Sequence, residues 1–164
     1  MICVACRRIV PEGERCPHCG AALPRLGPPP RRAGLLELVR RKVLEVRSGD
    51  VSPSEFEAWL EGFRARFQEL RAQVADECIP AEMRAEMAEE LRAGRRGLEV
   101  FLQSLDLFRQ WVRENDRSAL DQGMALVAQA VAHLNDAIEM NWRSFRTYQE
   151  SAEEYLKQLG VVTE

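Results

Sequence analysis

The chain is poor in the residues from which many catalytic sites are built. It contains only two histidines in 164 residues, and His133 is the only one outside the first 20 positions. The paired Glu-x-x-His motifs of a di-iron carboxylate bundle therefore cannot be formed. The sequence also lacks a phosphate-binding loop and a Gly-x-Ser-x-Gly nucleophile motif. These absences make an enzyme the least favoured class, and we predict a protein that is not an enzyme.

Long apolar runs are missing as well. No apolar stretch approaches the ~18 residues that a transmembrane helix needs. The first residues show no basic segment followed by an apolar one, as a secretion signal would. We therefore predict a cytoplasmic protein that does not bind a membrane. In a reducing compartment, its cysteines are expected to be thiols or metal ligands rather than disulfides.

Cysteine is the one residue type whose arrangement predicts a specific chemistry. Four of the five cysteines form two Cys-x-x-Cys pairs with nine residues between them. Each pair bends the chain so that two thiolates reach one ion, and two pairs complete the tetrahedron that zinc prefers. An iron site with the same ligands is the alternative. The pattern predicts one structural Zn²⁺, held by Cys3, Cys6, Cys16 and Cys19.

The second pair lies in Cys16-Pro17-His18-Cys19-Gly20, which resembles the CPxCG knuckles of the zinc-ribbon superfamily, in particular its short bacterial members. The first pair lies in Cys3-Val4-Ala5-Cys6-Arg7 and lacks the proline and glycine of that pattern. The resemblance covers about 20 residues and implies small β-hairpins around a zinc ion. It implies no particular activity. We expect His18 to be an exposed turn residue rather than a ligand.

The remainder of the chain predicts helices. Aromatic residues make up only 7% of the sequence and β-branched residues are few, which favours helix over strand. Pro28-Pro29-Pro30 prefers an extended backbone and indicates a spacer. The predicted fold is mainly α: a small N-terminal zinc ribbon linked to an antiparallel bundle of three long helices plus one short helix. The predicted domains are a ribbon (1–22), a Pro/Arg-rich linker (23–34) and the helical bundle (35–164).

Apolar residues spaced alternately by four and three positions define the helices of the bundle. A short helix is predicted from Leu35 to Arg47, and a second begins at Ser52-Pro53, where a capping serine precedes a proline and a glutamate. The third and fourth are predicted over 81–114 and 118–159. We expect helix 2 to cover helix 3 only to about Ser104, with helix 1 filling the remaining gap. Asn141 on the last helix either sets the register of a helix pair or marks the end of the internal seam.

We hypothesise a non-enzymatic adaptor or regulatory protein, whose bundle binds a protein partner or a second copy of itself. The zinc ribbon would then be an auxiliary docking module. Any apolar stripe left uncovered on the bundle would be the partner site. Cys78, alone in an interhelical turn, is predicted to be a small packing residue. The predicted partner-binding residues are Phe108, Trp111, Met124 and Val127.

Nucleic-acid association is the alternative. Residues 1–47 contain ten Arg and Lys against four Glu, a net charge of +6 in a chain whose total is −3. Such a basic end could contact phosphates. However, the ribbon has no aromatic residue on which bases could stack. In this alternative the contacts come from Arg7, Arg8, Arg15, Arg31 and Arg32.

Overall fold

The computed structural model describes residues 3, 5–11, 13–23 and 33–159. Among these residues the regular elements are helical, and the pairing of Arg15 with Ala22 is an isolated antiparallel β-bridge. The mainly α prediction is therefore confirmed. The helices are α1 (Ala33–Ser48), α2 (Pro53–Gln73), α3 (Ala81–Glu86), α4 (Ala88–Glu114) and α5 (Arg117–Gln158), with one 3₁₀ turn at Asp76–Cys78.

The described residues divide into two compact units. The bundle unit contains residues 33–140, and the cysteine unit contains residues 3–23 together with 141–159. Helix α5 contributes to both units. Residues 24–32 of the predicted linker lie outside the described part of the chain, so the predicted domain boundaries stay a prediction.

Helix α2 begins where the sequence predicts. The Ser52 hydroxyl accepts a hydrogen bond from the amide of Glu55, and the Glu55 carboxylate accepts one from the amide of Ser52 at 2.8 Å. Pro53 occupies the first helical turn, where its missing N–H costs nothing. This reciprocal pair satisfies two amide groups that have no partner inside the helix.

The predicted continuous helix over 81–114 is wrong, because the chain breaks between α3 and α4. Met87 leaves helical geometry with φ −103° and ψ 23°. The apolar spacing Met83, Met87, Leu91 contains two successive steps of four, and each such step turns the apolar side about 40° around a straight helix. Over two such steps Met83 and Leu91 are about 80° apart, which one apolar face can still include, so the spacing alone does not predict the break. In the structure Met83 is 47% exposed.

Helices α2 and α4 are antiparallel, but their overlap is longer than predicted. The Phe67 ring stacks on Phe101 at 3.9 Å between centroids, and the Phe56 ring meets the Trp111 ring edge-on at 5.7 Å. The expected end of this overlap near Ser104 is thus wrong. The connection between α2 and α4 comprises residues 74–87 instead of a short turn at Cys78. Each residue of α2 therefore lies beside a residue further along α4 than predicted. Cross-helix ion pairs follow the same register: Arg64 with Asp106, Arg109 with Glu61, and Arg113 with Glu57.

Helices α4 and α5 pack closely through glycines. Gly94 faces Ala137, Gly97 faces Leu134, and Gly123 faces the ring of Phe108. Positions rise along α4 as they fall along α5, so this pair is also antiparallel. A Cβ at position 97 would lie 2.7 Å from the Leu134 Cγ atom. Glycine at that position is therefore what permits the helices to approach.

Helix α1 completes the core of the bundle unit. Its Val39 and Val43 are buried against the same apolar cluster as Phe56, Leu60 and Phe108. Val46 of α1 lines a groove of about 550 Å³ together with Trp111 and Leu120, at the end of the bundle where α4 gives way to α5. The prediction that helix 1 lies beside that end of helices 3 and 4 is confirmed.

Cys78 is exposed, so the prediction that it is a small packing residue is wrong.

None of the described helices is both long enough and apolar enough to cross a bilayer.

Candidate metal centre

The second Cys-x-x-Cys pair forms a tight knuckle. The amide of Gly20 donates to the Cys16 carbonyl at 2.9 Å, and the amide of Cys16 donates to the Ala21 carbonyl at 2.8 Å. Gly20 has φ 72°, a left-handed conformation that glycine adopts without a steric cost. The amide of His18 also approaches the Cys16 sulfur at 3.4 Å. The turn thus directs the backbone N–H of His18 at a thiol.

The first pair has the same backbone geometry despite its different sequence. The amide of Arg7 donates to the Cys3 carbonyl at 2.7 Å, and the amide of Cys3 donates to the Arg8 carbonyl at 2.9 Å. Arg7 has φ 58° and so occupies the left-handed position that Gly20 holds in the second knuckle. The two knuckles are therefore equivalent in backbone hydrogen bonding, although only the second carries the CPxCG sequence.

The four sulfurs of these knuckles lie close together. The Sγ atoms of Cys3 and Cys19 are 3.6 Å apart, as are those of Cys6 and Cys16, and all four lie within 4.8 Å of one another. A tetrahedral zinc site with Zn–S bonds of about 2.3 Å has S–S edges of about 3.8 Å. A disulfide would instead bring two sulfurs to about 2.05 Å. The donor set and its spacing therefore fit one tetrahedral metal ion.

Little apolar packing supports the knuckles. Cys3, Cys16, Val10 and Leu23 form a small buried cluster that is separate from the core of the bundle unit. The amide of Leu23 donates to the Glu14 carbonyl at 3.0 Å and closes the loop around the second knuckle. Within the described part of the cysteine unit, this cluster of four buried side chains is far smaller than the core that a domain needs for independent stability. A metal ion would supply the missing folding free energy.

The thiols also compete for ionisation. Burial by itself raises the pKa of the Cys16 thiol. The amides of His18 and Cys19 and the neighbouring thiols act in the opposite direction and outweigh burial, so that the pKa is lowered to about 7. For Cys19, the amide of Ala21 lowers the pKa, whereas burial and the other three thiols raise it, with a net value of about 12. Four thiolates this close repel one another unless a cation lies between them. A divalent ion would remove that repulsion.

The predicted basic residues surround this centre only in part. Arg7, Arg8 and Arg15 are exposed, whereas Arg31 and Arg32 lie outside the described residues. One Arg8 guanidinium nitrogen lies 3.3 Å from the His18 ring, and Arg15 donates to the Gly20 carbonyl at 3.3 Å. His18 is exposed, as expected for a turn residue.

Comparisons with known proteins give this chain no relative. No protein-family model matches it, and no curated protein or solved structure shows significant similarity. What can be inferred about its function therefore rests on its own residues.

The four predicted partner-binding residues lie in the bundle unit, mostly inside it. Phe108 and Val127 have no exposed surface, Trp111 is 7% exposed, and Met124 is partly buried against the core. Their role in binding a partner stays a prediction. Only Trp111 among them lines the groove at the end of the bundle.

The sequence reasoning missed a different surface. Three large apolar residues of α5 and the residue that follows it have between 46% and 61% of their surface exposed. The sequence left open whether they continue the internal seam or lie beyond its end at Asn141. The signal was helix length: α5 has 42 residues and its antiparallel neighbour α4 has 27. A helix of 27 residues cannot pair with a helix of 42 residues along its full length. We call this surface the distal face; its members are Phe145, Tyr148, Tyr155 and Leu159.

Proposed function

We propose that the protein is a non-enzymatic adaptor, in which a structural zinc ion folds residues 3–23 and the distal face of α5 binds a protein. The observation that carries the proposal is the exposure of the distal face. Large apolar side chains that remain half exposed together on one helix are typical of a binding surface. The zinc knuckles and the distal face belong to the same compact unit.

The proposed metal site supports a structural rather than a catalytic role. Four protein thiolates fill all the positions of a tetrahedral zinc ion, so no position is left for water or a substrate. The thiols also require a reducing environment to remain available for metal, which favours the cytoplasm. Residues 3–23 are thus proposed to be a zinc ribbon that serves as a folding device and an auxiliary docking module.

Metal content tests the first half of this proposal. The full chain, purified without added metal, should contain one zinc per molecule by elemental analysis. Cys3→Ser and Cys16→Ser should each lose most of it, because three ligands leave an open and weaker site. Cys78→Ser is the matched control and should keep its zinc, since Cys78 lies outside the cluster. Bound iron in place of zinc, or equal losses in all three variants, would contradict the assignment.

Protein binding tests the second half. Tagged wild-type chain should retain a protein, either another polypeptide or untagged copies of itself, and Tyr148→Glu should abolish that retention. Thr147→Glu is the control, because Thr147 is an exposed neighbour outside the apolar pattern. Retention that both variants preserve would remove the distal face from the proposal.

Nucleic-acid association remains the second candidate, supported by the exposed Arg7, Arg8 and Arg15. The metal centre weakens it, because a zinc ion with four thiolates carries a net charge of about −2. Residues 3–23 contain three arginines and two glutamates, so the metal-loaded module has a net charge of about −1. Tight binding to short DNA or RNA that falls steeply with salt would favour this candidate. Absence of binding at low salt would eliminate it.

A further inference from the structure

The distal face continues a regular heptad pattern. Counting from Asn141, the spacings to Phe145, Tyr148, Ala152, Tyr155 and Leu159 are four, three, four, three and four. The same phase runs through the earlier part of α5, where Gly97 of α4 packs against Leu134. The distal face is thus the continuation of an interface that another helix already covers nearer the start of α5. Its pattern fits a helix as the covering partner.

The positions beside the distal face carry no charge. In heptad terms Phe145, Ala152 and Leu159 are a positions, and Asn141, Tyr148 and Tyr155 are d positions. Coiled coils that select a different partner use charged residues at the flanking e and g positions. The flanking residues of this segment are Trp142, Ser144, Gln149, Ser151, Leu156 and Gln158. Nothing in them opposes pairing with an identical helix.

The charges on the rest of the segment are distributed unevenly along its length. Residues 141–148 contain Arg143 and Arg146 and no acid, giving +2. Residues 149–159 contain three glutamates and one lysine, giving −2. Two copies in the same direction would place like charges side by side. Two copies in opposite directions, crossing at position 150, place residues 141–148 (+2) beside residues 152–159, which contain two glutamates and one lysine (−1). Charge complementarity therefore favours an antiparallel pair.

Side-chain sizes agree with the antiparallel arrangement. If two copies cross with position 150 at the centre, a positions of one helix meet d positions of the other. Phe145 then faces Tyr155, and Tyr148 faces the small Ala152. Aromatic pairs contribute beyond their buried area, and a large residue opposite a small one fills space evenly. Asn141 faces Leu159 at the end of the contact, where it can stay hydrated.

We propose that the occupant of the distal face is a second copy of this chain, bound antiparallel through residues 141–159. This inference rests on the proposed function, since it names the partner of the same surface. Four half-exposed side chains bury less area than a standard stable interface. We therefore expect a weak dimer that dissociates at micromolar concentrations.

Sedimentation equilibrium of the full zinc-loaded chain over a wide concentration range tests the proposal. Wild type should show a monomer–dimer equilibrium, and Tyr148→Glu should weaken it at least about tenfold, because two charges would be buried per dimer. Thr147→Glu should dimerise like wild type. Thermal unfolding of each variant, followed by circular dichroism, shows whether the bundle unit is intact. A monomer at every concentration, or a dimer that Tyr148→Glu does not weaken, would overturn the proposal.

A charge exchange tests the antiparallel direction. In an antiparallel pair with position 150 at the centre, g positions of the two helices face each other, so Ser144 lies beside Gln158 of the partner copy. Ser144→Lys combined with Gln158→Glu should strengthen the dimer, whereas Ser144→Lys combined with Gln158→Lys should weaken it. A parallel dimer would keep positions 144 and 158 far apart, so the two double variants would dimerise alike. If the wild type is monomeric yet retains another protein through Tyr148, the self-association inference fails while the proposed adaptor function stands.

Discussion

At the scale of single residues, the left-handed backbone of Arg7 is the feature most open to test. Its φ of 58° costs a side-chain-bearing residue about 1 kcal/mol, a cost that glycine does not incur. We predict that Arg7→Gly tightens zinc binding about fivefold in a competition with a chromophoric chelator. Gly20→Ala should weaken zinc binding, because it places a Cβ in the same conformation of the second knuckle. Unchanged zinc affinity in both variants would show that the knuckle geometry does not limit binding.

Two glycines of α4 form a second pair of opposite predictions. A Cβ at position 97 would lie 3.1 Å from the Ala130 carbonyl oxygen as well as against Leu134, so Gly97→Ala should lower the free energy of unfolding by about 1–3 kcal/mol. A Cβ at position 94 would lie 3.7 Å from the Ala137 Cβ, an ordinary contact. Gly94→Ala should therefore raise stability by about 0.5–1 kcal/mol through helix propensity. Urea unfolding measures both, and equal effects would contradict the α4–α5 register.

The glycines of α4 are also an example of a feature that the sequence did not predict, namely how closely α4 and α5 approach each other. Steps of three and four from Leu91 lead through Gly94 to Leu98 and pass over Gly97, yet Gly97 makes the closer approach. Heptad spacing identifies which side of a helix is apolar, but it does not give the distance between two helices. By contrast, the four cysteines were found from spacing alone, because a Cys-x-x-Cys turn fixes its own local geometry. The left-handed backbone conformation of Arg7 could not be predicted, since arginine is not a residue in which a positive φ is expected.

At the scale of elements, the capping box of α2 should make a measurable and pH-dependent contribution. Ser52→Ala should lower the free energy of unfolding by about 1 kcal/mol at neutral pH, since it leaves a helix-terminal amide without its acceptor. The hydrogen bond from the Ser52 hydroxyl, followed by the one from its amide, lowers the pKa of Glu55. A lowered pKa in the folded state stabilises the protein above the ordinary glutamate pKa and is lost as pH falls through the lowered value.

The difference in stability between wild type and Ser52→Ala should therefore shrink at acid pH. Denaturant unfolding at neutral pH and at a pH below the ordinary glutamate pKa measures this change. A difference that stays constant with pH would mean that the Glu55 carboxylate is not part of the cap.

The beginning of α2 was predictable because its signals are local. The break at Met87 and the register of α2 against α4 were not predictable, because both depend on how long the connection between the two helices is.

At the scale of the whole molecule, the two apolar clusters predict independent responses to metal removal. Among the residues that the structure describes, the core of the bundle unit and the cluster of Cys3, Val10, Cys16 and Leu23 share no member. Adding a strong chelator should unfold residues 3–23 while the thermal midpoint of the bundle unit stays unchanged. Any loss of helical circular dichroism should be limited to residues 141–158 of α5. A cooperative loss of all helix would show that the metal stabilises the entire chain.

The exposed end of α5 also belongs to this scale. A heptad pattern does not tell whether its partner is another helix of the same chain, a second copy or a different protein. The spacing of the seam has no interruption from Leu120 to Leu159, and Asn141 either sets the register of a helix pair or ends the internal seam. The exposed fractions of Phe145, Tyr148 and Tyr155 favour the second alternative. The mainly helical fold was therefore predictable, whereas the exposure of this surface was left open by the sequence.

Native mass spectrometry of the full chain, purified without added metal, tests both the zinc site and the pairing of chains in one experiment. It reports the metal bound to each species and the number of chains in it. We predict monomers with one zinc each and, at higher concentration, dimers with two. Zinc should disappear in Cys16→Ser and persist in Cys78→Ser, and dimers should disappear in Tyr148→Glu. A metal-free, fully reduced chain, or two disulfides in place of the metal, would contradict the zinc-stabilised adaptor.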